Sequence, residues 1–367
     1  MGVCDVAIAG AGIIGAACAA ACASAGLKVV VVEPSVIGGG ATAAGMGHLV
    51  VMDDSPAQLE LTAYSCRLWA ELAATLPAQV EYTACGTIWV AADDEEMAEV
   101  QRKKSVYESF GARAEILGPA ELAEAEPGLR RGLVGGLLVA DDAVIYPPCV
   151  ARYLLECACA QSASVESGFA AEFAREGIRL RDGSFLAAGV TVDATGAWSN
   201  GVPGLEVRKR KGHLAITDRH PGFVRHQLVE LGYLKSAHST TEDSVAFNVQ
   251  PRMTGQVLIG SSRQFGAEHT RVDEPILRRM LQRAVEYMPG LAERSAIRTW
   301  TGFRAATPDK LPLIGLSPLS DRHYLATGHE GLGITTALAT GTLVADQILR
   351  RASAIPIEPY LPTRHHG

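Results

Sequence analysis

The sequence predicts an α/β fold (α+β in the broader sense), in which a strand–helix–strand unit is assembled discontinuously around a mixed, sheet-rich second unit. Three observations predict it. The first 33 residues read strand, glycine turn, helix, strand. Segments of similar small-residue character return near residues 146–200 and near the C-terminus, with strand-rich stretches between them. The chain has 367 residues, too many for one ordinary core.

Asp5–Ala9 reads as a short buried strand, and Gly10-Ala11-Gly12-Ile13-Ile14-Gly15 follows it. A helix of small residues runs on to Ser24, with Gly26 as its C-cap. Lys28–Val32 is a second strand, continuously apolar and so buried on both faces, and Glu33 ends it. In this setting Gly10 permits the tight turn, Gly12 lets a pyrophosphate approach the backbone, and Gly15 lets the helix pack closely on the strand. The helix N-terminus offers free N–H groups to phosphate, and Glu33 offers a carboxylate to a ribose diol. That carboxylate would repel a 2′-phosphate, which argues against NADP. A second glycine run, Gly38–His48, is either a surface loop or backbone lying against a large flat group such as an isoalloxazine ring. On the first motif alone, a nicotinamide-dependent dehydrogenase competes with a flavoprotein.

Val6–Leu27 contains no charged residue and imitates a membrane span in length. Four glycines, an alanine-rich composition and the lack of a preceding basic segment argue against that reading.

Farther along, Pro56–Leu76 has an amphipathic helical pattern, Ala84–Ala91 reads as a strand and Asp93–Phe110 as a helix. Gly132–Ala140 is strand-like, and Tyr146-Pro147-Pro148 opens a helix to about Ala160. Three or four strands follow between Val165 and Asp193; the last ends in Ala194-Thr195-Gly196-Ala197-Trp198. Val207–Ser262 is strand-rich, Asp273–Met288 is helical, and a final helix spans about Gly331–Arg351. The run Arg208–Lys211 reads as a solvated strand end, and the tail after Ala352 as loose. A net charge of -7 argues against nucleic acid or an acidic membrane surface as the main partner. The eight cysteines form no C-x-x-C pair or zinc-ligand spacing, so no metal is expected and the thiols read as buried in a reducing, cytoplasmic compartment.

Trp300–Asp309 with Leu311–Gly315, and the glycine-rich Gly328–Thr335, resemble the C-terminal motifs of the D-amino-acid oxidase-like FAD-dependent oxidoreductases. That group includes glycine oxidase, sarcosine oxidase and D-amino-acid dehydrogenases, and the resemblance covers nearly the whole chain. Lys211–Leu214, Gly232–Lys235, Gly260–Arg263 and the turn His329–Gly333 are most similar to bacterial D-hydroxyproline dehydrogenases and opine-oxidase-type subunits. The chain departs from glycine oxidase at Gly331, where that enzyme has a second arginine, and at Asn248, where it has a tyrosine. Gly302 stands where monomeric sarcosine oxidase attaches its flavin through cysteine.

The resemblance implies a discontinuous, Rossmann-like FAD-binding domain (residues 1–50, 146–205 and 298–352), a substrate-binding domain (51–145 and 206–297) and a tail (353–367). It implies non-covalent FAD held by Gly10, Gly12, Ile13, Ile14, Gly15, Glu33, Pro34, Ala41, Thr42, Gly45, Met46, Gly47 and His48. Further contacts come from Ala170, Ala194, Thr195, Gly196, Trp198, Gly302, Arg304 and His329-Glu330-Gly331-Leu332-Gly333-Ile334-Thr335. Arg304 is the implied carboxylate anchor, because a guanidinium fork matches a carboxylate bidentately. His48, Asn248 and Tyr233 are candidate pocket walls. The implied chemistry is hydride transfer from Cα to flavin N5, giving an imine. The implied substrate is a small D-amino acid, such as the cyclic imino acid cis-4-hydroxy-D-proline. The alternatives are a flavin subunit of a heteromeric opine or amino-acid dehydrogenase, and a general D-amino-acid, glycine or sarcosine oxidase. Electrons would pass to a dye, a quinone, an electron-transfer protein or oxygen, and the chain could form homo- or hetero-oligomers.

Overall fold

A computed structural model describes residues 4–232 and 243–364. The first half runs β1 (Cys4–Ala9), α1 (Ile13–Ser24), β2 (Val29–Glu33), α2 (Pro56–Ala73), β3 (Thr87–Ala91), α3 (Asp94–Ser109), β4 (Ala114–Leu117), β5 (Gly135–Val139), α4 (Pro147–Cys159), β6 (Ala163–Ser167) and β7 (Phe185–Asp193). The second half runs β8 (Arg208–Arg219), β9 (Gln227–Glu230), β10 (Ser244–Pro251), β11 (Gln256–Arg263), α5 (Glu274–Tyr287), β12 (Ala296–Ala306), β13 (Leu313–Leu316), β14 (His323–Thr327) and α6 (Gly333–Ile348). Two large sheets organise them. One has the order β13-β14-β7-β1-β2-β6, with the hairpin Ala170–Ala174 and Gly177–Leu180 attached to β7. The other has the order β12-β8-β11-β10-β9-β3-β5-β4.

In the first sheet β1 pairs in parallel with both β2 and β7, which explains its unbroken apolarity. Alternation sends Val6 and Ile8 into the core beneath α1, α4 and α6, and Ala7 and Ala9 toward Ile178 and Leu180 of the hairpin. The small residues of α1 serve contact with α6. A Cβ added at Gly341 would come within 2.5 Å of the Ala17 carbonyl oxygen, so the two helices touch backbone to backbone. The uncharged N-terminal stretch is therefore a strand and a 12-residue helix packed inside a protein. No helix among the described residues is long and apolar enough to cross a membrane.

The second sheet is covered on one face by α5. Asp273 caps this helix by accepting from the Ile276 N–H at 3.3 Å. Met280, Ala284 and Tyr287 bury against Leu228, Phe247 and Val249, and the Phe247 and Tyr287 rings stack at 4.5 Å. The period of two then turns Gln227, Val229 and Asn248 to the opposite face.

Four expectations change. Residues 298–306 lie in β12, which hydrogen-bonds along β8 from Arg208↔Ala306 to Thr217↔Ala296, so an expected boundary falls inside a strand of the second sheet. Helix α2, expected with the second unit, buries Leu61 and Trp69 in the core of the first. The tail is packed through residue 364: Tyr360 is buried and donates to the Ala57 carbonyl at 2.6 Å, and Arg364 pairs with Asp309 at 2.7 Å. Arg210 and Lys211 are buried on β8 instead of solvated, Arg210 because it pairs with Glu330.

Replacing Gly341 by Ala adds helix propensity but forces α1 and α6 apart. We expect a net loss of about 1–3 kcal/mol in urea unfolding. An unchanged or higher midpoint would show that the contact yields freely.

Candidate functional site

A cavity of about 720 Å³ lies where the two sheet units meet. That volume is within the range of small-molecule and cofactor sites. Its first wall is the end of β1. Gly10 leaves the strand at φ +103°, where L side chains are strained. A methyl at Gly15 would overlap the Gly10 carbonyl, so α1 stands hard against the strand end. The N-terminus of α1 carries no acidic residue in its first turn and no side chain on its Gly12 cap. Thr42 reaches across instead, its Oγ1 accepting from the Ile13 N–H at 3.0 Å. Glu33 accepts from Ala11 N–H at 2.8 Å and Ser35 N–H at 3.0 Å, which fixes its carboxylate at the cavity edge.

The glycine run contributes a short helix, Gly40–Ala43, and then an extended passage along the cavity through Gly45, Met46, Gly47 and His48. Asp193 braces the facing turn: its Oδ1 accepts from the Thr195 amide at 2.9 Å and hydroxyl at 2.6 Å, and its Oδ2 from Ser199 Oγ at 2.6 Å. Helix α6 aims its own N-terminus at the same space, through Gly331, Leu332, Gly333 and Ile334, again with no acidic residue in the first turn. Two helix N-termini thus supply positive ends to one cavity.

Arg304 projects from β12 into this cavity, and its Nη1 donates to the Ser262 carbonyl at 2.8 Å. The guanidinium lies over Gly212, where an added Cβ would come within 2.6 Å of Nη1. Burial is the largest influence on His48 and lowers it to about 4; the Gln250 carboxamide opposes this and the Arg304 cation adds to it. His329 is buried beside Thr340, 2.9 Å from its Oγ1, and desolvation holds it down to about 3. Both imidazoles are therefore neutral at pH 7. Glu330 accepts Arg210 and lies 3.8 Å from Arg263, so an ion network holds the turn before α6.

Of the residues singled out from the sequence, Gly10, Gly12, Ile13, Ile14, Glu33, Pro34, Ala41, Thr42, Gly45, Met46, Gly47, His48, Ala170, Ala194, Thr195, Gly196, Trp198, Asn248, Gly302, Arg304 and 329–334 all line the cavity. Gly15 and Thr335 do not. Gly15 is buried behind the turn, and Thr335 donates its hydroxyl to the His48 carbonyl at 2.8 Å while its own carbonyl accepts from Trp69 Nε1 at 2.8 Å. Tyr233 lies outside the described residues. The structure adds lining residues that no motif marks, among them Asp54, Trp89, Gln227 and Lys310, and it places Arg263, the end of the Gly260–Arg263 stretch, in the same lining.

A sequence model of the family described as "FAD dependent oxidoreductase" (DAO) matches residues 5–347. The chain is 26% identical to glycine oxidase of Geobacillus kaustophilus over 99% of its own length and 97% of the relative's. The crystal structure of a glycine oxidase from that organism superposes with a TM-score of 0.88, at 26% identity and with 100% of each chain covered. Hydrogen cyanide synthase subunit HcnC of Pseudomonas aeruginosa is 25% identical, with 98% of this chain and 96% of the relative covered. D-amino acid dehydrogenase of Xanthobacter autotrophicus is 26% identical, with 74% and 65% covered.

The lowered histidines set a pH dependence. His48, His213 and His329 stay neutral in the fold down to about 4, 4 and 3, whereas unfolded they take up protons near 6.5. Stability is therefore lost as pH falls from about 6.5 toward 4, each histidine contributing at most about 1.4 kcal/mol per pH unit. Asp142, raised to about 7 chiefly by burial, works in the opposite direction, as do Asp54 and Asp346, both raised by burial, while His323, also lowered by burial, adds to the histidine effect. Urea midpoints should fall steadily between pH 7 and 4.5; constant midpoints would contradict the neutral-histidine assignment.

Proposed function

The chain belongs to the DAO family of FAD-dependent oxidoreductases, and from that premise we propose that it oxidises the C–N bond of a small amino or imino acid anchored through its carboxylate by Arg304. The observation that carries the reading is Arg304 itself, a fixed cation in a cavity already flanked by two helix N-termini. The residues present fit FAD. The turn Gly10–Ile14 and the Glu33 carboxylate suit a pyrophosphate and a ribose, and 41–47, 194–198 and 331–334 supply backbone and small side chains along a cavity of sufficient size. When bound, FAD supplies the acceptor for the hydride lost from the substrate carbon.

The remaining work falls to the protein. Arg304 binds and orients the carboxylate, the fork being held at one edge by Ser262 and from below by Gly212. His48, neutral at pH 7, adds no positive charge to repel a substrate amine. The substrate we favour is a small D-amino acid, with a cyclic imino acid such as cis-4-hydroxy-D-proline as the leading case. The similarity to D-amino acid dehydrogenase supports the D configuration. The similarity to glycine oxidase favours instead a general oxidase of glycine, sarcosine or D-amino acids. A second reading, a flavin subunit working with partner chains, is favoured by the similarity to a protein named as a synthase subunit.

Anaerobic bleaching of the bound flavin by a panel of D- and L-amino acids, including 4-hydroxyprolines, tests the reading. Bleaching by at least one amino acid is expected. Arg304→Ala should lower kcat/KM by the equivalent of about 2–5 kcal/mol while heat still releases a full complement of FAD. Gly212→Ala, which displaces the guanidinium without deleting it, should raise KM by less. Unchanged kinetics in Arg304→Ala would place the carboxylate anchor elsewhere.

A further inference from the structure

Part of the cavity wall is formed by β3, β9 and β10, and its chemistry differs from that around Arg304. The register places Trp89, Val229 and Asn248 in one row across these strands, with Thr87 beside Gln227 in the adjacent row. Trp89, Gln227, Val229 and Asn248 all line the cavity. Trp89 is 2% exposed and Gln227 is 1% exposed. Yet Trp89 Nε1, Gln227 Oε1 and Asn248 Oδ1 are buried with no hydrogen-bond partner among the described residues. Buried polar atoms are almost always paired, so three on one stretch of cavity wall are a concentration that calls for a ligand.

The orientation of Gln227 is fixed from behind. Its Nε2 donates to Thr87 Oγ1 at 3.1 Å. The carboxamide oxygen is the part left for the cavity. The wall therefore offers two acceptors and one indole donor and carries no charge. The cavity's charged residues, among them Asp54, Arg263 and Lys310, come from other segments. A neutral group that both donates and accepts matches this wall, whereas a carboxylate or ammonium would be desolvated there without a counter-charge.

The sheet also measures the distance from the anchor. Arg304 is bonded to a carbonyl of β11, Asn248 lies one strand away on β10, and Gln227 two strands away on β9. Asn248 pairs with Gly260, two residues along β11 from Ser262, so at about 4.8 Å per strand and about 3.4 Å per residue its backbone stands roughly 8 Å from the carbonyl that holds Arg304. Gln227 lies farther along the same face, level with Leu258. The polar atoms therefore extend away from the anchor, Asn248 nearer and Gln227 beyond it, where the side chain of a bound amino acid would point.

We propose that Gln227, with Trp89 and Asn248, forms a side-chain subsite that selects substrates bearing a neutral hydrogen-bonding group, best matched by a hydroxyl. This rests on the amino-acid reading above and adds to it the residues that read the side chain. A site built to bond a hydroxyl discriminates strongly against the analogue that lacks it, because its own polar groups are then left unpaired.

The test uses the FAD-loaded enzyme and two substrate pairs, proline against cis-4-hydroxyproline and alanine against serine, in both enantiomeric series. In whichever series is turned over, kcat/KM should favour the hydroxylated member of at least one pair by about 100-fold or more. Gln227→Met should reduce that ratio by about 10–100-fold, and Trp89→Phe, which deletes the indole N–H together with the pyrrole ring, by less, both at unchanged FAD content. A wild-type ratio near one, or a Gln227→Met variant that lowers both members equally, would overturn the subsite. If no amino acid bleaches the flavin, the oxidation reading fails separately. The subsite is then judged by calorimetric titration of the loaded enzyme with tetrahydrofuran-2-carboxylate and its 4-hydroxy derivative. Tighter binding of the hydroxylated acid that disappears in Gln227→Met supports it, and equal affinities reject it.

Discussion

The close approach of α1 to the ends of β1 and β7 is the contact on which the rest of the molecule depends. Gly15 has no room for a methyl group above the Gly10 carbonyl, and a Cβ at Gly10 would lie 2.6 Å from the Ala194 carbonyl oxygen. This places the N-terminus of α1 beside the turn at 194–196, at one end of the cavity. It also presents the small-residue face of α1 to α6, where Gly341 accepts it backbone to backbone. Helix α6 in turn carries the 329–334 turn to the cavity wall. One steric constraint near the N-terminus thus locates a segment more than 300 residues away in the chain.

The second sheet divides its labour by the alternation of the strand. Odd positions of β10, Phe247 and Val249, bury against α5, while Asn248 faces the cavity. On β9, Leu228 packs beneath the helix and Gln227 and Val229 face the other way. The apolar face stabilises the wall, and so the cavity face can carry polar atoms without dissolving the fold.

Buried charge holds the remaining segments in place. Lys103 is fully buried, paired with Asp53 and set over the Trp89 ring at 4.5 Å and the Tyr107 ring at 5.0 Å. Tyr107 donates to the Val51 carbonyl at 3.0 Å, so α3 pins the stretch 50–54 that lines the cavity. Arg210 does the same for Glu330, which holds the αL conformation at φ +47° before α6. Buried pairs of this kind add little net stability, but removing one partner leaves the other charge uncompensated, so they serve well as positioning devices.

The sequence by itself determined the glycine turn between β1 and α1, because Gly10, Gly12, Gly15 and Glu33 act within one short local unit whose spacing implies its geometry. It also determined the cavity-lining character of 41–48 and 329–334 and the candidacy of Arg304, through motifs with little freedom of residue type. Only the tertiary structure decided the unit boundaries, since β12 joins the second sheet and α2 the first core by pairings that no local pattern encodes. The burial of Arg210 and Lys211 and the docking of the tail depended on partners distant in sequence. Gln227 and Trp89 were illegible for the same reason. A glutamine or tryptophan in a strand looks ordinary until cross-strand register sets it beside other unpaired polar atoms on the face that a helix does not cover.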